Sequence, residues 1–92
     1  MNNTVTFSNA LVNVKAGKRI ARAKWNINVF VVYQKGYPNG IPSNLQTAIA
    51  WGLNEGDNFI CNPYLQIQND DGSHSMWSPS VDDILAEDWV VL

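Results

Sequence analysis

One cysteine and one histidine, Cys61 and His74, are all the sequence has of the two residue types that most often staple, metallate or catalyse. A lone cysteine excludes a disulfide within the chain, and a free thiol suits a reducing cytoplasm. A lone histidine with no paired thiol leaves no ligand set for zinc, so no metal and no cofactor is expected. Long apolar runs are missing too. No stretch approaches the roughly 20 residues of a membrane span. The start, MNNTVTFSNAL, has neither the basic flank nor the apolar core of a secretory leader. These absences predict a soluble intracellular protein without a membrane partner.

Charge is absent by halves. No acid precedes Glu55 and no cation follows Lys35. Five of the six cations (Lys15, Lys18, Arg19, Arg22 and Lys24) crowd into KAGKRIARAK, and Lys35 completes the set. The eight acids are Glu55, Asp57, Asp70, Asp71, Asp82, Asp83, Glu87 and Asp88. The acidic balance, formally −2, disfavours nucleic acid as a partner. The basic segment is open to two readings. It can meet the phosphates of a ligand, or lie beside the acidic tail in the same chain or across a subunit contact, as exposed charges commonly do.

What the sequence does have is tryptophan: Trp25, Trp51, Trp77 and Trp89 in 92 residues. A chain of this length makes one domain, spanning 1–92, and its core is marginal unless something supplements it. With disulfides and metals excluded, self-association remains, and a homo-oligomer is expected. The end of the chain, WSPSVDDILAEDWVVL, places two tryptophans around a Pro-Ser turn and four acids. Trp is a large apolar body with one N–H that needs a partner when buried. The pattern therefore builds either a core corner or an aromatic-walled pocket.

The periodicities predict an α+β domain: an N-terminal helix packed on a mostly antiparallel sheet, with short helical inserts. Thr6 is a natural N-cap; Phe7, Ala10, Leu11 and Val14 follow at helical spacing, and Gly17 suits the exit. Residues 18–23 alternate as a short strand, and Trp25-Asn26 is a turn. Residues 28–34 are rich in Val, Phe and Tyr on both faces, which argues for a strand covered on both sides. GYPNGIPS reads as a loop, and Ser43 as the cap of a second helix carrying Leu45, Ala48 and Ile49, with Gly52 beyond it. Residues 55–63 read as a further loop. Leu65 and Ile67 alternate with glutamines along a strand, and Asn69-Asp70-Asp71-Gly72 signals a hairpin turn. Ser80 with Asp83 makes a capping-box start to one helical turn, and residues 89–92 close the chain as a strand.

The opening helix, GKRIAR, Trp25-Asn26, PYLQIQNDDG, Trp77-Ser78-Pro79-Ser80 and Asp83-Ile84-Leu85-Ala86-Glu87-Asp88-Trp89 together form a pattern. It resembles the second Thoeris anti-defence family of phage proteins. Small members of that family share an early arginine-tryptophan-asparagine stretch and a late D-[LI]-L-A-x-D-W signature. The resemblance runs from about residue 7 to 91. Lys24 stands where the family usually has Gly before the early Trp, and Val81-Asp82 where it often has Gln-Thr; residues 37–58 are longer than in compact members. The resemblance implies a homotetramer that binds glycocyclic ADP-ribose, the signal a bacterial TIR enzyme makes in Thoeris defence. It also implies cyclic dinucleotides at separate sites in some members, sites at subunit contacts, no cleavage, and action in the cytoplasm of the infected host. Sequestered messenger never activates the effector.

Such a messenger offers a flat purine, ribose hydroxyls and two phosphates. Its capture calls for aromatic planes, amide or carboxylate edges, and cations or backbone N–H groups. Trp25, Tyr33, Tyr64 and Trp77 are the candidate planes; Asn26, Asn62, Ser80 and Asp83 the candidate edges; Arg19, Arg22 and Lys24 the candidate phosphate partners. Stacking contributes ~1–3 kcal/mol per base, and holding a nanomolar messenger takes roughly −10 to −12 kcal/mol. Each residue also has a structural use. Trp25 and Trp77 can be core, Ser80 and Asp83 a cap, Asn26 a turn residue, and Arg22 a partner of the acidic tail. Trp89 reads as packing, Asp70 and Asp71 as turn residues, His74 as solvated and Cys61 as a small apolar group. No nucleophile–base pair is legible, so no catalytic residue is assigned. Two other functions stay open: a structural or protein-binding phage accessory, and a messenger-degrading enzyme.

Overall fold

The computed structural model describes residues 3–92. The first helix, α1 (Phe7–Lys15), is opened by the Thr6 hydroxyl accepting from the Asn9 N–H at 3.3 Å. It is left through Gly17, whose φ of +102° is a left-handed exit that a side chain resists. Strands β1 (Ile20–Arg22) and β2 (Phe30–Gln34) follow, then β3 (Tyr37–Pro42), α2 (Leu45–Trp51), β4 (Asn58–Cys61), β5 (Tyr64–Gln68), β6 (His74–Met76), α3 (Val81–Leu85) and β7 (Trp89–Val91). The fold is α+β.

Five strands form one antiparallel sheet in the order β6-β5-β2-β1-β7, and Val5 bridges the outer side of β7 at Trp89. Helix α1 lies across one face, with α3 against α1. Ile20 pairs with Val31, Val31 with Ile67, and Tyr33 with Leu65, so one apolar row crosses three strands. Ala10 and Val14 of α1 close on that row, and with Ile20, Val31 and Trp89 they form a core without exposed surface. Full burial of each large side chain stabilises by about 1.5–3 kcal/mol. The glutamines of β5 fall on the other face, as the alternation predicts.

That other face corrects one expectation. Residues 28–34 are covered on one side only: Val31 is buried beneath α1, whereas Phe30 and Val32 are half-buried and no helix or strand of the described residues packs over them. An apolar run alone does not distinguish cover by the same chain from cover by another.

The segment 37–61 is an arm. Strands β3 and β4 form a two-stranded ribbon that carries α2 at its far end, and no element of the arm packs on the main body. The molecule is correspondingly long, 53 × 27 × 22 Å. GYPNGIPS is therefore largely strand rather than loop, and 55–63 contains β4. The prolines are tolerated because a two-stranded ribbon has open edges that require no donor from Pro38 or Pro42. The register slips between Tyr37 and Ile41, where Gly40 has a φ of +95°. At the root, Gly36 has a φ of +74°, and a Cβ there would stand 2.3 Å from the Cys61 carbonyl oxygen.

The cap of α2 also differs by one residue. Asn44, not Ser43, accepts from the Thr47 N–H, at 2.8 Å. Ser43 is buried and works on the loop: its hydroxyl donates to the Asn54 carbonyl at 3.1 Å, while its backbone is tied to Gly56 and Asp57. Gly52 ends the helix in the left-handed conformation, as expected. No helix of the described residues is long and apolar enough to cross a membrane.

Candidate functional site: a tryptophan corner beside an open sheet face

Trp89 begins β7, and the Ser80-to-Asp83 box begins α3; the short link between them brings both against the end of β1. Both halves of the box are present: the Asp83 N–H donates to the Ser80 hydroxyl at 3.1 Å, and the Ser80 N–H donates to Asp83 Oδ2 at 2.9 Å. The Trp89 indole N–H donates to the Asp83 carbonyl at 2.8 Å. The basic and acidic halves of the sequence meet here. Arg22 donates from Nη1 to Asp83 Oδ1 at 2.8 Å and from Nε to Asp88, and the Ala23 N–H donates to the Asp88 carbonyl at 2.9 Å. The Arg22 guanidinium also lies 5.7 Å from the Trp89 ring centre.

The charges respond to this arrangement. Asp88's hydrogen bond raises Arg22's proton affinity against the cost of burial, with Asp83 adding to the effect. Burial pushes the Asp83 carboxyl up, but the Ser80 bonds and the Arg22 charge outweigh it and hold the group below the usual carboxylate range. Both Asp83 oxygens are thus engaged within the chain. Arg22 is 8% exposed, and its two carboxylates make the only ion pairs among the described residues.

Three indoles meet edge to face at the same corner: Trp25 to Trp89 at 5.4 Å, Trp77 to Trp89 at 6.0 Å and Trp25 to Trp77 at 6.3 Å between ring centres. Such pairs add about 0.5–1.5 kcal/mol each beyond burial. Trp89 is wholly buried and is packing, whereas Trp25 and Trp77 pack against that core and are half-buried. Beside Trp25 runs a cleft of about 280 Å³ lined by Arg22, Asn26, Ile27, Val90 and neighbours. Lys24 and Asn26 are both exposed on that turn.

The corner therefore gathers Trp25, Trp77, Arg22, Ser80 and Asp83, with Asn26 and Lys24 on the adjoining turn. The other four candidates lie apart. Arg19 sits 4.8 Å above the Phe30 ring on the uncovered face, bordering a depression of about 450 Å³ with Val32, Gln34, Gln66, Gln68 and His74. Tyr33 lines a hollow at the root of the arm with Lys35 and Tyr37. Asn62 faces the hollow beneath Trp51, and Tyr64 pairs with Gln34 at the end of β5. Sequence reasoning passed over Phe30 and the glutamine row. Their signal was the alternation itself: Phe30 and Val32 point opposite to Val31, to the side shared by Gln66 and Gln68. His74 joins that row, 3.3 Å from Gln68 Oε1.

The residues that define the early and late motifs thus share one structural unit, in which Arg22, Trp25, Asp83, Asp88 and Trp89 hold three strand and helix ends together. No curated protein matches the chain. The model of the Thoeris anti-defense 2-like domain matches residues 5–92. With nearly the whole chain matched and its motifs meeting at one corner, the chain belongs to the Thoeris anti-defense 2-like family, and its role is to counter Thoeris defence.

Proposed function

We propose that the protein is a sponge: a homotetramer that binds glycocyclic ADP-ribose intact, in clefts completed by a second subunit, in the host cytoplasm. The observation that carries this reading is the tryptophan corner. Trp89 holds the rings of Trp25 and Trp77 edge-on, so each is rigid yet half-open, as a stacking plane has to be. Rigid planes lose little entropy when a purine stacks on them. Asn26 supplies an amide for a base or ribose edge, and Lys24 a cation for phosphate.

Two assignments change with the geometry. Arg22 and Asp83 face each other rather than a ligand, so they position the walls of the site. Phosphate contact at the corner falls to Lys24, which is exposed on the adjoining turn. A cleft of about 280 Å³ falls just short of the ~300–1,000 Å³ of ligand pockets. A messenger with two phosphates needs more wall than one chain provides, and this supports the tetramer. Against cleavage, His74 stands on the open face beside Gln68, away from the corner, and offers no base there.

Thermal denaturation with glycocyclic ADP-ribose tests the reading. Ligand at 100 times its dissociation constant adds about 2.7 kcal/mol to the folded state. For a domain of this size that raises Tm by roughly 10–20 °C. An unchanged Tm across this messenger and a panel of cyclic dinucleotides refutes the sponge and favours a protein-binding accessory. Denaturing the loaded protein should return intact messenger; return of degraded product alone would establish an enzyme.

A further inference from the structure

The arm presents an apolar surface against which no other element of the described residues packs. Leu45, Ile49, Trp51 and Ile60 are 57%, 73%, 77% and 67% exposed. Helix α2 has seven residues and buries only Ala48; a helix so short does not sustain itself in water without packing. Trp51 borders an apolar hollow of about 520 Å³ with Phe59 and Ile60. A tryptophan at the rim of such a hollow is the kind of anchor that dominates protein interfaces.

Charge indicates what covers it. Residues 36–69 contain no cation, and their two acids, Glu55 and Asp57, lie at the tip of the arm. Asp57 is occupied, accepting from the Asn54 N–H at 3.0 Å; Glu55 is exposed. The uncovered sheet face has the opposite character. Its half-exposed Phe30 and Val32 are bordered by Arg19, which forms no ion pair among the described residues. An acid-tipped apolar projection and a base-edged face that carries Phe30 and Val32 among Gln34, Gln66, Gln68 and His74 are complementary in charge. The arm packs on no element of its own body, so the two surfaces meet only between copies. A two-fold exchange satisfies both at once.

We infer that the arm of each subunit closes over the uncovered sheet face of a second copy, in a reciprocal clasp, with Trp51 supplying a wall to the partner's face. The inference deepens the sponge reading by assigning the second subunit's contribution, but the clasp itself requires no messenger.

Sedimentation velocity of the full chain at micromolar concentration, without messenger, tests it. Circular dichroism confirms that each variant is folded. Trp51→Glu is expected to weaken assembly about thirtyfold, the usual loss for a buried anchor. Glu55→Lys and Arg19→Glu should each weaken it about fivefold, and the double reversal should restore it. Wild-type protein that sediments as a monomer overturns the clasp, as does assembly indifferent to all three substitutions. Single reversals that weaken assembly without rescue by the double overturn the sheet face as the docking surface. Should Trp51→Glu not fold, the charge reversals decide alone. Calorimetry with glycocyclic ADP-ribose keeps the two readings apart: assembly without heat sinks the sponge and leaves the clasp, and heat from a monomer overturns the clasp and the tetramer but leaves capture of the messenger.

Discussion

Arg22→Met should be among the most damaging substitutions in this chain, and it tests whether the family motif is architectural. The Arg22 side chain is 9% exposed and bridges Asp83, 16% exposed, and Asp88, 35% exposed. Removing the cation strands two carboxylates, of which only Asp83 keeps another bond, from the Ser80 N–H. Breaking a buried pair costs about 3–5 kcal/mol. Asp88 can rehydrate through its open side, which places the loss near the lower end, at about 3 kcal/mol. In a domain of this size that lowers Tm by roughly 12–24 °C. The pH dependence follows from the depressed Asp83 group. Its stabilisation is fully present above the ordinary carboxylate pKa, about 3.9, and is lost as pH falls through the lower folded value. Wild type and Arg22→Met should therefore differ fully at neutral pH and converge in acid below about pH 4. Combining Arg22→Met with Asp83→Asn should show strong coupling in a double-mutant cycle. A loss under about 1 kcal/mol, or additive single effects, would show that the bridge does not hold the corner.

The other substitutions separate walls, cap and arm. Trp25→Ala and Trp77→Ala should weaken messenger binding by about 1–3 kcal/mol per lost stacking plane, measured by calorimetry; normal affinity in both removes the corner as the site. Asp83→Ala does not isolate binding, because it also removes one of Arg22's two partners, and any loss of affinity should accompany a lower Tm. Ser80→Ala should cost about 1 kcal/mol through the lost cap, read by urea denaturation; no change would mean that α3 needs no cap. Gly36→Ala combines a positive φ with a Cβ 2.3 Å from the Cys61 oxygen. Hydrogen exchange should then show lost protection in β3 and β4 with the main sheet intact, and retained protection there would refute the close approach.

Local chemistry was enough to read much of this chain. Thr6 and Gly17 bound the first helix, the 65/67 alternation sets the face of β5, Asn69 to Gly72 turns the hairpin, and Ser80 with Asp83 starts α3. Each signal acts within a few residues and so survives in the sequence. The ribbon of β3 and β4 did not, because its strands are made by pairing across 16 or more residues, as between Pro42 and Asn58, while its prolines and glycines locally signal loop. The cap shift from Ser43 to Asn44 has the same origin: the serine is held by a loop that approaches only after folding.

The candidate site divides along that line. Residue types alone named the tryptophans, the cations and the acids, but sequence distance hides which cation meets which acid. The chain determined by itself that its core would be small, its charge split and its last turn capped. Only the tertiary structure decided that Arg22 spends its charge on Asp83 and Asp88, that Trp89 is the buried support of two half-open rings, and that one sheet face and the arm stay bare. Pairing and burial depend on how distant segments pack, and no local pattern records that.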